Sequence, residues 1–317
     1  MKAIVLNSPG GVENLIYTDV ALPAIKDNEV LVKVKAISIN PVDVKTRAGK
    51  GVYGRIKDQG PIVLGWDISG TIVETGKAVQ SFDTGQDVFG MVNFPGHGKA
   101  YAEYVAVPVE QLALKPDGVT HEQAAASTLA ALTAWQALTR YYPLKAGDKV
   151  LIHAASGGVG HFAVQIAKHL GAYVVGTSSA TNRDFVLGLG ADEHIDYRDY
   201  DWNKRIDAFD FVFDTLGGDN IDLSIHATKK GGTVISIPSG LNESVTAKAS
   251  AKGVDGFFFL VQSSGKNMEQ IASLLHKGVL VPHIFKAYSF DQMGEAHLQQ
   301  ESGRTRGKLI IVPPTKK

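Results

Sequence analysis

The sequence predicts an α/β protein in two parts, a strand-rich domain and a doubly wound parallel-sheet domain. Three observations predict it. From about residue 122 onward, short apolar runs alternate with helical patterns, which implies a parallel sheet covered on both faces. One such run enters one such helix through a glycine turn, Leu151-Ile152-His153-Ala154-Ala155-Ser156-Gly157-Gly158-Val159-Gly160. Residues 1 to about 120 instead carry alternating strand patterns broken by Gly and Pro clusters.

Composition bounds the function. At 317 residues the chain is long for one core, so two domains are expected. The 44% hydrophobic and 20% charged content is that of a globular protein. Lys plus Arg and Asp plus Glu are 32 each, so no basic excess points to nucleic acid or to an anionic membrane. No apolar run is long enough for a transmembrane helix. The opening segment 1–6 reads as a strand rather than a signal peptide, and a cytoplasmic location is the expectation. The absence of cysteine excludes disulfides, thiolate zinc sites, iron–sulfur clusters and cysteine nucleophiles.

Along the chain, 29–36 alternates cleanly, and 69–74, 87–91 and 102–107 follow as strands. Turns separate them at Pro9-Gly10-Gly11, Gly60-Pro61, Thr75-Gly76 and 94–98. A helix is predicted over 124–141, alanine-rich on one side. Strands then fall at 149–153, 173–177, 194–196, 209–214 and 232–237, with helices at 160–170, 183–189 and 221–228. A short apolar strand, 308–312, closes the chain. The predicted division is 1–122 with a return segment 281–317, and 123–280 between them.

The glycine turn carries the first chemical signal. In a βαβ unit, the backbone N–H groups of Ser156, Gly157, Gly158, Val159 and Gly160 would approach a pyrophosphate, and the helix N-terminus adds unpaired donors and positive dipole density. Ala155 stands where the first glycine of G-x-G-x-x-G would be, and an ordinary strand-to-helix turn is the alternative. At the end of the next strand the chain reads Val174-Val175-Gly176-Thr177-Ser178-Ser179-Ala180-Thr181-Asn182-Arg183. The carboxylate that bonds the ribose 2′-hydroxyl in an NAD site is missing. Ser178 as donor, Arg183 as bidentate cation and Tyr197 on the next turn suit a 2′-phosphate, hence NADPH. A solvated arginine and a serine helix cap are the plainer reading. Two further turns, 213–218 and 235–240, bring Leu216 and Ile237 to the carboxyl edge of the sheet, where ligands bind in open α/β sheets.

These pieces in this order resemble the medium-chain dehydrogenase/reductase superfamily, and within it the zinc-free quinone oxidoreductases and ene-reductases. The resemblance runs over nearly the whole chain. It is carried by Met1-Lys2-Ala3-Ile4, Ile39-Asn40-Pro41-Val42-Asp43, Gly65-Trp66-Asp67-Ile68-Ser69-Gly70, Leu132-Thr133-Ala134-Trp135, the 154–160 loop and Gly303-Arg304-Thr305-Arg306-Gly307-Lys308-Leu309. It implies a GroES-like β-rich domain beside a Rossmann domain, and a homodimer. Zinc members place a cysteine where Asn40 stands, a His-Glu pair where Trp66-Asp67 stands and a second cysteine near Leu129, so no metal is expected here. The resemblance also implies that Asn40 lies near the nicotinamide with Asp43 ordering it, that Tyr53 sits on a substrate loop, and that Thr133 approaches the nicotinamide. Phe257, Phe258 and Phe259 would line the substrate site, with backbone there bonding the carboxamide. Lys308 would reach a cofactor phosphate or ribose. Each has a plainer role: a turn residue, a helix-end carboxylate, a core threonine, core aromatics, a surface lysine.

The expected function is therefore a zinc-independent, NADPH-dependent reductase passing hydride to quinones or α,β-unsaturated carbonyls. Conjugation in such acceptors spreads developing negative charge without a Lewis acid. The alternatives are a carbonyl or alcohol dehydrogenase, and a protein that binds NADPH without turnover as a redox sensor.

Overall fold

The computed structural model describes residues 1–238 and 242–314. They divide into two units, Met1–Leu132 with Gln262–Lys317, and Thr133–Val261. In chain order the first unit holds β1 (Lys2–Leu6), β2 (Leu15–Asp19), β3 (Glu29–Ile39), α1 (Pro41–Arg47), α2 (Tyr53–Ile56), β4 (Ile62–Val63), β5 (Asp67–Thr75), β6 (Asp87–Met91), β7 (Tyr104–Pro108), β8 (Ala113–Leu114) and α3 (His121–Ala126). After α4 (Leu129–Gln136) come β9 (Lys149–Ile152), α5 (Gly160–His169), β10 (Tyr173–Ser178), α6 (Arg183–Gly188), β11 (Glu193–Asp196), β12 (Phe209–Asp214), α7 (Asn220–Ala227), β13 (Thr228–Ser236), α8 (Asn242–Lys252) and β14 (Asp255–Phe257). The chain then returns to the first unit with α9 (Gly265–His276), β15 (Ile284–Ser289), α10 (Met293–Glu301) and β16 (Lys308–Val312).

In the second unit a single parallel sheet runs β11-β10-β9-β12-β13-β14. This is the doubly wound order, in which the chain reverses direction between its first and fourth strands, here β9 and β12. Strands buried on both faces need unbroken apolar runs rather than alternation. Val150, Leu151, Ile152, Phe211, Val212 and Phe213 satisfy that and are fully buried. The switch point puts the loops after β9 and β12 side by side at the carboxyl edge, which is what positions the residues expected to meet a cofactor.

The first unit is antiparallel except where β15 joins β16. Its seven-stranded sheet runs β15-β16-β3-β5-β6-β8, with β7 also on β3, and β2-β1-β4 form a second sheet. β3 is paired on both sides, so Val30, Val32, Ala36, Ile37 and Ile39 are all fully covered. The pairing Leu309↔Ile39 fixes where β16 begins relative to the end of β3.

The predicted helix 124–141 is broken into α3 and α4, followed by a π-helical segment Ala137–Tyr141. Ser127 Oγ and Thr128 Oγ1 turn back onto Gln123 O and Ala125 O, an alternative to the helical ladder that ends α3. The predicted breaks at 122/123 and 280/281 compare with 132/133 and 261/262. α3 packs on β3 and β5, and α9 packs on β8, which carries both helices with the first unit. β14, β15 and α8 to α10 were not legible as elements. α10 carries five polar residues among nine and buries only Met293, Ala296 and His297.

Candidate functional site

The glycine turn after β9 is built for close approach. Ala154 adopts a left-handed conformation (φ 47°), and Gly157 N–H closes the turn on Ala154 O at 2.8 Å. α5 starts at Gly160, where a Cβ would lie 2.2 Å from Ala154 O and 2.8 Å from Ala155 Cα, so only glycine fits. The N–H groups of Ser156, Gly158, Val159 and Gly160 have no backbone acceptor among the described residues. Together they form a nest of N–H donors at the start of a ten-residue helix, the geometry that suits an anion. Ala155 replaces glycine without strain because Gly176 on β10 yields the room. A Cβ at position 176 would sit 2.8 Å from the Ala155 methyl.

The neighbouring edge carries the expected polar groups and one that sequence reading passed over. Ser178 ends β10 and is buried, and its hydroxyl contacts His194 Nε2 at 2.7 Å. Arg183 opens α6 and is exposed. Tyr197 is 53% exposed, its N–H bonded to Ser178 O and its ring under the Arg198 guanidinium. In the turn after β12, Leu216 N–H and Gly217 N–H both donate to Asp214 Oδ1, and Ile237 N–H donates to Asp214 O. Asp214 thus ties both edge turns together. Ser239 and Gly240 of the second turn lie outside the described residues. Thr133 is buried in α4, Phe258 is half-buried, and Phe259 is buried against the Tyr141 ring at 4.5 Å. His153, at the end of β9, is buried with Nδ1 on Thr177 Oγ1, and burial pushes its pKa down to about 4 against the pull of Asp214.

In the first unit, Asn40 and Asp43 anchor a buried ionic network. Asn40 caps α1, and its N–H donates to Asp43 Oδ2 at 2.8 Å. The Asn40 side chain bridges opposite charges. Its Oδ1 accepts from the Lys308 ammonium, and its Nδ2 donates to Asp67 Oδ2 at 2.8 Å. An ammonium only donates and a carboxylate only accepts, so the amide orientation is fixed. Lys308 Nζ also donates to Ile39 O, and Asp67 Oδ1 accepts from Leu129 N–H, capping α4 across the sheet. Asn40, Asp43, Asp67 and Lys308 are all at most 3% exposed.

Burial dominates the electrostatics here. It raises Asp43 to about 7, with the Asp67 charge adding to the rise and the Asn40 N–H, Tyr101 and Lys308 opposing it. It raises Asp67 as well, against the Lys308 charge, and it lowers Lys308 against the two carboxylates.

A directional relay leads away from Asp43. Arg47 Nη1 lies 3.4 Å from His297 Nδ1, and a guanidinium only donates. His297 therefore carries its hydrogen on Nε2 and donates to the Tyr101 oxygen at 2.9 Å. The Tyr101 hydrogen is left to face Asp43, whose charge helps raise the phenol well above its usual range, after burial. Burial and Arg47 hold His297 down at about 3. Glu301 closes the far end on Arg47 Nη2.

Sequence reasoning named Asn40 and Asp43 but not Asp67, Tyr101 or His297 as partners. Lys308, expected at a cofactor phosphate or ribose, has its ammonium on Asn40 Oδ1 and Ile39 O, because β16 enters the sheet beside the end of β3. Tyr53 packs half-buried against the core of the first unit and hydrogen-bonds none of these groups.

Comparison with known proteins agrees with this architecture. Residues 26–117 match the family described as the alcohol dehydrogenase GroES-like domain, and residues 189–311 the family described as zinc-binding dehydrogenase. The NAD(P)H oxidoreductase RTN4IP1, mitochondrial, of Bos taurus is 34% identical over 98% of this chain and 89% of its own length. The NADPH-dependent alkenal/one oxidoreductase, chloroplastic, of Arabidopsis thaliana is 32% identical over 99% of this chain and 80% of its own. The structure of the quinone oxidoreductase from Coxiella burnetii superposes with a TM-score of 0.94 at 36% identity, covering 98% of this chain and 99% of that one. With a GroES-like domain, a doubly wound sheet and relatives aligned over almost its full length, the chain belongs to the medium-chain dehydrogenase/reductase superfamily.

Proposed function

We propose that this oxidoreductase is zinc-independent and NADPH-dependent, and that it reduces quinones or α,β-unsaturated carbonyls. The observation that carries the reading is the Lys308–Asn40–Asp67 network. Zinc needs three or four thiolate, imidazole or carboxylate donors. The chain has no cysteine, and no group of three His, Cys, Asp or Glu residues able to hold a metal occurs among the described residues. An ammonium beside Asn40 and Asp67 also repels a divalent cation. Zinc does not fit this donor set, so the acceptor must bring its own activation, as conjugated carbonyls and quinones do.

NADPH fits the other unit. The donor nest at 156–160 suits a pyrophosphate, the glycine at 160 admits its close approach, and Ser178, Arg183 and Tyr197 would hold a 2′-phosphate. When bound, the cofactor supplies a hydride. The chain's own contribution is orientation and hydrogen bonding. Asn40 has a second amide hydrogen that Asp67 does not take, and its fixed orientation makes it a donor of set direction for an acceptor oxygen. The names of the Arabidopsis and Coxiella relatives, an alkenal/one oxidoreductase and a quinone oxidoreductase, support this substrate class.

The test is consumption of NADPH and NADH against 1,4-benzoquinone, 9,10-phenanthrenequinone and a 2-alkenal, with and without chelator. Chelator-insensitive turnover with NADPH is expected. Activity that chelation removes and zinc restores would overturn the zinc-independent reading. Tight NADPH binding without turnover of any acceptor would overturn the reductase reading.

A further inference from the structure

The pocket assigned above to a 2′-phosphate contains a titratable side chain in direct contact with one of its donors. His194, half-buried on β11, holds Nε2 at 2.7 Å from the Ser178 hydroxyl oxygen. Ser178 gives its own hydrogen to Ser179 O at 3.1 Å. The hydroxyl therefore accepts from His194, and the imidazole carries its hydrogen on Nε2. A hydroxyl hydrogen is a rotor. Swinging it from Ser179 O to a phosphate oxygen leaves the bond from His194 intact.

The charges around His194 set how it responds to an anion. Arg183 on α6 and Asp196 on its own strand face it, and from β10 it meets the neutral Ser178. Asp196 is committed to backbone, with Oδ2 on Ala180 N–H and Oδ1 on Arg198 N–H. Burial and then the Arg183 charge hold His194 below the usual histidine range, with Asp196 opposing. A phosphate placed between Ser178 and Arg183 reverses this balance. It offsets the repulsion from Arg183 and adds attraction of its own, and both favour the imidazolium.

We propose that His194 makes recognition of the 2′-phosphate proton-linked, so that the protein takes up a proton there when it binds NADPH and none there when it binds NADH. His194 acts as a positioning residue through Ser178 and as a charge that the anion itself recruits. Preference for NADPH over NADH then sharpens as pH falls. The proposal rests on the NADPH reading given above.

Calorimetric titration of the protein with NADPH and with NADH, in two buffers of different ionisation enthalpy, measures the proton uptake directly. The wild type, His194→Gln and His194→Phe are compared between about pH 5.5 and about pH 7.5. In the wild type the NADPH-to-NADH affinity ratio should change with pH by up to about tenfold per unit for a full proton. His194→Gln keeps a neutral donor to Ser178, so it should retain affinity at the alkaline end and lose the slope. His194→Phe should lose both. The phosphate's own titration survives in the variants and provides the baseline. Proton uptake in His194→Gln equal to that of the wild type would overturn the proposal. If Arg183→Ala removes the NADPH preference but the wild-type preference does not change with pH, the phosphate pocket stands and the His194 proposal alone falls. If the wild type does not discriminate the cofactors at any pH, the phosphate-pocket reading falls and this inference with it.

Discussion

Replacing Lys308 by methionine tests the buried network most directly. The ammonium is the counter-charge of Asp67 and the donor to Asn40 Oδ1 and Ile39 O, all at sites closed to water. Methionine fills a similar volume but donates nothing. Breaking a buried pair from one side costs about 3–5 kcal/mol, because the remaining charge is stranded. That is a large share of the roughly 5–15 kcal/mol typical of folded domains. Adding Asp67→Asn to Lys308→Met removes the stranded charge while keeping an acceptor for Leu129 N–H, so about 2 kcal/mol or more should return. The pH dependence has a defined sign. Asp43 and Asp67 sit above the ordinary carboxylate value in the folded protein, Asp43 at about 7. Between about pH 4 and that value the folded state holds protons the unfolded chain has released, so the contribution of these two carboxyls to stability falls as pH rises. Without Lys308 both carboxyls rise further, so the penalty of Lys308→Met should be larger at pH 8 than at pH 5. Urea unfolding of the wild type, both single variants and the double variant at these two pH values measures it. Additive single-variant effects, or a penalty independent of pH, would refute the coupled network.

Other consequences can be checked separately. Arg183→Ala should weaken NADPH by about 10- to 100-fold, the worth of a charge-assisted hydrogen bond, and leave NADH nearly unchanged; equal losses for both cofactors would sink the phosphate assignment. Gly160→Val forces a side chain into Ala154 O, where even a Cβ would stand 2.2 Å away, so it should lower stability by about 1–3 kcal/mol and abolish cofactor binding. An unaltered melting temperature would contradict the close approach. Buried His97, His153 and His297 sit at about 4, 4 and 3 in the folded protein. As pH falls below about 6.5, the unfolded chain takes up protons there that the folded protein refuses, each costing up to about 1.4 kcal/mol per pH unit, with Asp43 working the other way. Melting temperatures should therefore drop between about pH 6 and pH 4.5, and His153→Phe should flatten that slope; a slope unchanged in His153→Phe would show that this imidazole is not held neutral.

The second unit was legible in sequence for a physical reason. A parallel sheet covered on both faces demands apolar runs such as 150–152 and 211–213, and the glycine turn marks where the first of them hands over to a helix. Strand order and the switch point then follow from connection rules. Ala155 looked like a defect in the glycine pattern, because its compensation lies on another strand. Gly176 lacks the side chain that the Ala155 methyl would meet, and no local rule pairs positions 155 and 176. His194 escaped for the same reason. Its meaning depends on the parallel register that sets β11 beside β10 and brings an imidazole from one strand to a hydroxyl of the other.

The first unit hid its chemistry more deeply. Read locally, Arg306-Gly307-Lys308-Leu309 is a turn leading into a strand, and a lysine there belongs in solvent. Only the antiparallel pairing of β16 with β3, Leu309 against Ile39, carries that lysine under the end of β3 and onto Asn40. Stability does not account for such an arrangement. An apolar pair of equal volume in place of Lys308 and Asp67 would hold the fold as well or better, since desolvating two charges consumes most of what their attraction returns. What the ions supply is direction. With an ammonium at its oxygen and a carboxylate at its nitrogen, the Asn40 amide has one orientation, whereas an amide between apolar walls is equally placed either way round. The relay from Arg47 through His297 to Tyr101 has the same character: a guanidinium at one end sets every donor and acceptor after it, and the series ends facing Asp43. A buried polar chain with its sense fixed at both ends holds its donors in place in advance, and preorganised donors are what the proposed zinc-independent reduction would require.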